Sequence, residues 1–269
     1  MKLIALDLDN TLLKQDKSIS AYSMQVIEQL RDEGHIVTLA TGRAYELTKP
    51  YAEQLAIKEP LILNNGALIR DTKGEIYKES KVCFEAIDLM LHYADKHDLG
   101  YTFYAPDGFH TNDLKRIKFY EAWNASHPTS IIDIHYHETI KPLLKKDAYK
   151  LLIIDNDKTR FNKAYGKYRN QSFAHITKSQ TAFLDVLPQN TSKASALKTL
   201  AEQLNIPKQD IIAFGDNDND VEMLSYAHLS FAMPNATTAA KTAANQLAAA
   251  TCEEDGVAKT LDNLLLKKP

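Results

Sequence analysis

Glycine is scarce in this chain, at nine of 269 residues, about half the usual ~7% of a globular sequence. No two glycines stand at the GxG spacing of a dinucleotide-binding turn, and neither GxxxxGKS nor GxxxxGKT occurs. The two familiar phosphate-cradling loops are therefore excluded, and any phosphate chemistry must use another device. Cysteine is nearly absent too, and Cys83 and Cys252 carry no CxxC or Cys/His ligand spacing. This argues against a disulfide framework or a zinc site and fits a reducing compartment, with the cytoplasm the expected location. No predominantly apolar run reaches the roughly 18 residues of a membrane span. The first residues resemble a signal peptide only until Asp7 and Asp9 place two carboxylates in the would-be apolar segment. Neither sign of charge dominates: 32 Lys and Arg against 35 Asp and Glu leave a net charge of -3. Bulk electrostatics give no reason to expect a nucleic-acid or membrane partner, and oligomeric state is not readable.

What is present is a chain 44% hydrophobic and 25% charged, enough for one large core or two modest ones. Residues 2–8, 36–40, 60–63 and 211–214 are short, nearly continuous apolar runs, the pattern of strands buried on both faces of a parallel sheet. Met24, Ile27 and Leu30 recur at helical spacing between the first two runs, and Gly34 stops that helix. Residues 45–56 supply the next helix. Thr191 and Ser192 are cap-like residues before Ala194, Leu197, Leu200 and Leu204, which are spaced for one buried face. The alternation predicts an α/β fold, a doubly wound, Rossmann-like parallel sheet. Residues 81–188 break it: they hold most of the aromatics and read as helices at 85–96, 113–124 and 158–169 with strands at 101–105, 149–154, 173–177 and 183–187. The expected organisation is a core of 1–80 and 189–269 with an inserted α+β domain at 81–188.

Ligands of open parallel sheets collect beyond the carboxyl ends of the strands, and four apolar runs here end in polar residues of one kind. They are Asp7-Leu8-Asp9-Asn10-Thr11, Thr41-Gly42-Arg43, Asn64-Asn65-Gly66 and Gly215-Asp216-Asn217-Asp218-Asn219-Asp220. Singly, each is an ordinary turn or helix cap; together they make a cluster. Asp7, Asp9 and Asp216 would repel one another unless a cation lay among them, and hard oxygen ligands suit Mg²⁺. A calcium loop over Asp216, Asp218 and Asp220 fails, because Val221 stands where that loop needs glycine and Ala227 where it needs a bidentate Glu.

In order and spacing, DLDNTLL at 7–13, ATGR at 40–43, NNGA at 64–67, Lys193 at a helix start and GDNDND at 215–220 resemble the haloacid-dehalogenase-like superfamily. The resemblance extends to its Cof-like branch, sugar-phosphate phosphatases with a type IIB cap in the place of residues 81–188. It implies a Mg²⁺-dependent phosphatase of small phosphorylated metabolites that works through an aspartyl-phosphate. Asp7 would be the nucleophile, and Asp9 the acid and base, its main-chain carbonyl also on the metal. Asp216 would complete a Mg²⁺ site of Asp7, Asp9 and Asp216. Leu8, Thr41, Gly42, Lys193 and Asn219 would contact the phosphoryl group, supported by Arg43 and by Asp220, which would orient Lys193 or metal-bound water. Two positions depart from the family pattern, each replacing a glycine: Asn10 and Ala194. Asn tolerates unusual backbone angles, so the turn at Asn10 is expected to survive.

Two other readings share these residues: a phosphotransferase or mutase acting on sugar phosphates, and a non-catalytic phospho-ligand sensor. The retention of Asp7, Asp9, Lys193 and Asp216 argues against the second. His135 and His137 form a possible metal pair, read instead as an exposed strand face because no third ligand is evident.

Overall fold

The computed structural model describes residues 1–180 and 182–267. Thr181 of the expected insert, and Lys268 and Pro269 at the end of the expected core, lie outside them. The elements run β1 (Leu3–Leu6), α1 (Ala21–Asp32), β2 (Ile36–Leu39), α2 (Tyr45–Gln54), β3 (Leu61–Leu63), β4 (Leu68–Arg70) and β5 (Ile76–Glu79). There follow α3 (Phe84–Lys96), β6 (Gly100–Ala105), β7 (Gly108–Thr111), α4 (Leu114–Ser126), β8 (Ile134–Tyr136), β9 (Lys150–Ile154), α5 (Lys158–Tyr168), β10 (Ala174–Gln180) and β11 (Phe183–Pro188). The chain then continues through α6 (Lys193–Gln203), β12 (Ile211–Gly215), α7 (Val221–Tyr226), β13 (Leu229–Ala232) and β14 (Gln246–Leu247). No helix among the described residues is long and apolar enough to cross a membrane.

The chain forms two compact units, Met1–Arg43 with Tyr51–Tyr77 and Ser192–Pro269, and Ala44–Pro50 with Lys78–Thr191. In the first, five parallel strands stand in the order β14-β13-β12-β1-β2. β1 is an interior strand between β12 and β2 and is buried at all four residues, which is why its sequence is continuously apolar rather than alternating. α1 starts where the Ser20 side chain accepts a hydrogen bond from the Ser23 amide, and it buries Val26, Ile27 and Leu30. α6 is capped by Ser192 and Ser195 reciprocally and buries Ala196, Leu197, Leu200 and Ala201. Each leucine so buried contributes about 1.5–3 kcal/mol. One expected strand departs from the parallel sheet. β3 touches it through the single bridge Ala40↔Ile62, then pairs antiparallel with β4 in the separate sheet β3-β4-β5. The cause is the tight reversal at Asn64, Asn65 and Gly66, all at positive φ (49°, 56° and 97°).

The second unit is built on a six-stranded sheet, β10-β11-β9-β6-β7-β8. Alternation along β6, β9 and β11 sends Tyr101, Phe103, Leu151, Ile153, Leu184 and Val186 to one side, packed with Met90 and Leu91 of α3 and Phe161 of α5. Tyr104, Leu152 and Phe183 belong to a second cluster with Tyr120 of α4. Ala44 and Leu47 join that second cluster, which is why residues 44–50 pack with this unit despite their position in the sequence. His135 and His137 have company that the sequence pattern missed. The ring of buried His110 stacks on His135 at 4.6 Å, and its Nδ1 shares a hydrogen bond of 2.9 Å with His137 Nε2. The other nitrogen of His110 meets Asp107 at 3.1 Å, so these imidazoles form a bonded, stacked group.

Candidate active site

β1 and β12 pair in parallel, so the loops that follow them emerge side by side. Asp7 directly follows β1 and its amide donates to the Phe214 carbonyl, while Asp216 directly follows β12. Asn10 turns the first loop at a φ of 58°, and the Leu8 carbonyl accepts from the amides of Leu12 and Leu13, closing it. The asparagine thus supplies the left-handed residue this turn requires. Gly215 precedes the second acidic loop, where a Cβ would lie 2.6 Å from Cβ and Cγ of Asp220. A side chain there would displace Asp220.

Lys193, the first residue of α6, is 1% exposed and donates to both Asp7 Oδ1 and Asp220 Oδ1 at 2.6 Å. Asp220 Oδ2 accepts from the amides of Asp216 and Asn217 at 2.9 and 3.0 Å. Both oxygens of Asp220 are thus engaged, and its task in the fold is to anchor Lys193 and the Asp216 loop. Asp7, Asp216 and Asp220 offer ligand oxygens within 4.8 Å of one another, the one such acidic group among the described residues. Burial pushes the Asp7 carboxyl up to about 7, with Lys193 opposing and Asp220 and Asp9 adding to the rise. Burial, then the charges of Asp7 and Asp220, push Asp216 up to about 8. Burial alone would lower Lys193, but Asp220 and Asp7 outweigh it and keep the ammonium charged.

Asp9 stands apart from this group. Arg43 clamps it with two parallel bonds, Nε to Oδ2 and Nη2 to Oδ1, both 2.7 Å, and Lys17 Nζ reaches Oδ1 at 2.8 Å. Burial would raise Asp9, but Arg43 and then Lys17 override it and hold the carboxyl well below the usual range. Thr41 is buried and its Oγ1 accepts from the Arg43 amide at 3.2 Å. Asn219 donates to Asn65 Oδ1 at 2.9 Å, and a Cβ on Gly42 would lie 2.9 Å from that same oxygen. The geometry therefore brings Asp7, Lys193, Asp216 and Asp220 together and joins Thr41, Gly42 and Asn219 through Asn65. Asn65, Thr11, whose hydroxyl donates to Asp216 Oδ1 at 3.3 Å, and Lys17 are additions that the sequence did not single out. Asn65 was marked only by its tandem Asn-Asn-Gly turn.

A family model described as haloacid dehalogenase-like hydrolase matches residues 4–261. The chain belongs to that family. This hydrolase is 31% identical over 285 residues to the 5-amino-6-(5-phospho-D-ribitylamino)uracil phosphatase YitU of Bacillus subtilis, covering 96% of each chain. It is 30% identical to the HMP-PP phosphatase of Yersinia enterocolitica, covering 98% of this chain and 95% of the other. A solved haloacid dehalogenase-like hydrolase from B. subtilis superposes with a TM-score of 0.87 at 27% identity, covering 98% of this chain and all of that one. With this family and these relatives, the enzyme is a phosphatase-type hydrolase, of the phosphoric monoester class.

The acidic group of the hydrolase suits a hard divalent cation. Lys193 pairs with two of the three buried carboxylates, Asp7 and Asp220, and with Asp220 committed, Asp7 and Asp216 are the side chains a cation would draw on. Because both are raised from 3.8, to about 7 and about 8, the native state holds more protons than the unfolded chain through that interval. Without metal, its melting temperature is therefore expected to fall as pH rises from about 5 to about 8.5, and added divalent cation should reverse the fall. Thermal scans across that range check this; a flat or opposite profile contradicts it. Gly66 supplies a second check: it has a φ of 97°, and a Cβ there would lie 2.3 Å from the Ser192 carbonyl oxygen at the start of α6. Gly66→Ala should cost about 2 kcal/mol or more and move Lys193, as read by denaturant unfolding together with activity.

Proposed function

We propose that this hydrolase is a Mg²⁺-dependent phosphatase of small phosphorylated metabolites that works through an aspartyl-phosphate on Asp7. The observation that carries the reading is Lys193 held between Asp7 and Asp220 at 2.6 Å beside Asp216. Lys193 fixes the Asp7 carboxylate, balances its charge and gives an incoming phosphoryl oxygen a cation. Thr41, Gly42, Leu8 and Asn219 are the proposed further contacts of that phosphoryl group, with Asn65 holding Asn219 in place.

In the first step an Asp7 oxygen bonds to phosphorus, the ester P–O bond breaks and the leaving oxygen takes a proton from Asp9. Asp9 must first give up its bonds to Arg43 and Lys17 and gain that proton from solvent, because those bonds hold it ionised in the resting enzyme. In the second step Asp9 takes a proton from water, whose oxygen attacks phosphorus and frees phosphate and Asp7. In the resting enzyme Arg43 holds the Asp9 carboxylate through its two parallel bonds, which suits the base of the second step. Asp7, Asp216 and the main-chain carbonyl of Asp9 would hold Mg²⁺, which would neutralise charge on the transferring oxygens. The cation would also let the acidic site accept a phosphate dianion. The names of the relatives support a small phosphorylated metabolite as substrate. The free thiols Cys83 and Cys252 support the cytoplasm.

Purified protein is expected to hydrolyse para-nitrophenyl phosphate with added Mg²⁺ and to stop on chelation, with restoration by excess Mg²⁺. Turnover indifferent to chelator would overturn the metal assignment. No turnover over a broad panel of phosphate esters would return the sensor reading.

A further inference from the structure

His135 and His137 lack a third ligand in the sequence, and the fold of the second unit supplies one. β8 is the edge strand of the six-stranded sheet and pairs in parallel with β7, with His135 in register beside His110. The His137 amide continues that pairing to the Thr111 carbonyl at 2.9 Å. Side chains alternate along a strand, so His110, His135 and His137 share one face of the sheet. The ring centre of His110 stands 4.6 Å from that of His135 and 5.1 Å from that of His137. Imidazoles that share one metal, each nitrogen about 2.0–2.1 Å from it, have ring centres about 4.5–5.2 Å apart, from right-angled to tetrahedral coordination. Both separations from His110 fall within that range.

Hydrogen bonding prepares His110 as a ligand. Asp107, in the turn between β6 and β7, meets His110 Nε2 at 3.1 Å, and the Lys146 ammonium pairs with the other oxygen of Asp107. A carboxylate accepts, so the hydrogen of His110 lies on Nε2 and its Nδ1 carries a lone pair. That lone pair faces His137 Nε2 at 2.9 Å. A carboxylate behind an imidazole is the arrangement that fixes tautomer and ring orientation at metal centres. A metal taking the place of the hydrogen between the two nitrogens requires only that His137 carry its hydrogen on Nδ1 instead. His135 is exposed and its ring makes no hydrogen bond among the described residues, so turning it to the same point breaks nothing but its stack on His110. Packing does not call for this group: His110 is 2% exposed and lies edge-on to Phe103 at 6.2 Å, on the apolar side of the sheet. An apolar side chain there would leave no buried polar atom to satisfy.

We propose that His110 Nδ1, His137 Nε2 and His135 form a binding site for a divalent transition metal. Imidazole nitrogens select zinc, nickel or copper, whereas the carboxylates of Asp7 and Asp216 suit Mg²⁺. A metal at the histidines would pin β8, three residues long, to β7 at the sheet edge. The test adds Zn²⁺ to the protein in excess Mg²⁺ at about pH 7.5, where a free imidazole is neutral, and follows the imidazole nitrogen resonances by NMR. The resonances of His110, His135 and His137 are expected to move to metal-bound positions while His110 keeps its hydrogen on Nε2. Zn²⁺ held by Asp7 and Asp216 leaves them unmoved. With free Zn²⁺ set by a chelator buffer, the midpoint of the shift measures the affinity of this site alone. That midpoint should rise about tenfold or more in His135→Gln, His137→Gln and Asp107→Asn. All three substitutions fall on exposed or half-buried side chains, so the variants test the site without emptying a core position. Resonances unmoved in the parent up to about 0.1 mM free Zn²⁺ overturn the proposal. A midpoint within about twofold of the parent in any of the three variants overturns it as well.

Discussion

Asp7→Asn is expected to lose turnover by about 10⁴-fold or more, because the amide has no oxygen basic enough to attack phosphorus and no route to a covalent intermediate. The substitution is nearly isosteric, and its carbonyl oxygen can still accept from Lys193, which donates to Asp7 at 2.6 Å in the parent. Burial and the neighbouring Asp220 and Asp9 charges raise Asp7 to about 7, so the ionised form is the one the fold disfavours. At about pH 8 the variant should therefore melt no lower than the metal-free parent. That combination separates lost chemistry from lost structure. Activity assays with matched thermal scans check it, and retained turnover would remove Asp7 from the reaction.

Lys193→Met should have the largest effect on stability. The ammonium is 1% exposed and paired with Asp7 and Asp220, and removing one partner from a buried pair costs about 3–5 kcal/mol, because uncompensated charge remains. The sign with pH follows from the carboxylates left behind. Asp7 and Asp216 are already raised, to about 7 and about 8, with Lys193 opposing the rise in each. Without it they rise further and can neutralise themselves below that range. The deficit should be large at about pH 8.5 and shrink towards about pH 5. Denaturant unfolding at the two pH values measures it, and an equal deficit at both would argue against charge as the cause. Turnover should be lost along with the phosphoryl-binding cation.

Much of this was legible before the fold was seen, for physical reasons. β1, β2 and β12 are buried strands of a parallel sheet and therefore carry unbroken apolar runs. The capped start of α6 announced itself through Thr191 and Ser192. β3 misled because its three buried residues look like those of a central parallel strand, whereas the left-handed turn at Asn64 to Gly66 diverts it into an antiparallel sheet. Strands β7 and β8, four and three residues long, are too short for a period to register. The position of Ala44 and Leu47 depends on a cluster with Tyr104 and Tyr120, partners far along the chain that no local pattern reveals. At the site, Asp7, Asp9, Lys193, Asp216 and Asp220 stood out as a set. Their supports did not: Lys17 sits in a polar loop at a φ of 66° with no periodicity, and Asn65 acts on Asn219 across 154 residues.

Covalent catalysis by Asp7 is the centre of the account, and trapping the intermediate tests it most directly. Asp9→Ala lacks the base of the second step, while the para-nitrophenolate leaving group needs no acid in the first, so the phosphoryl-enzyme should accumulate. The variant is mixed with para-nitrophenyl phosphate and Mg²⁺, quenched in acid, digested and sequenced by tandem mass spectrometry. The predicted result is one phosphoryl group on Asp7, absent when Asp7→Asn is added to the same chain. A burst of para-nitrophenolate with no adduct at Asp7, or with the phosphoryl group on another residue, would contradict the mechanism.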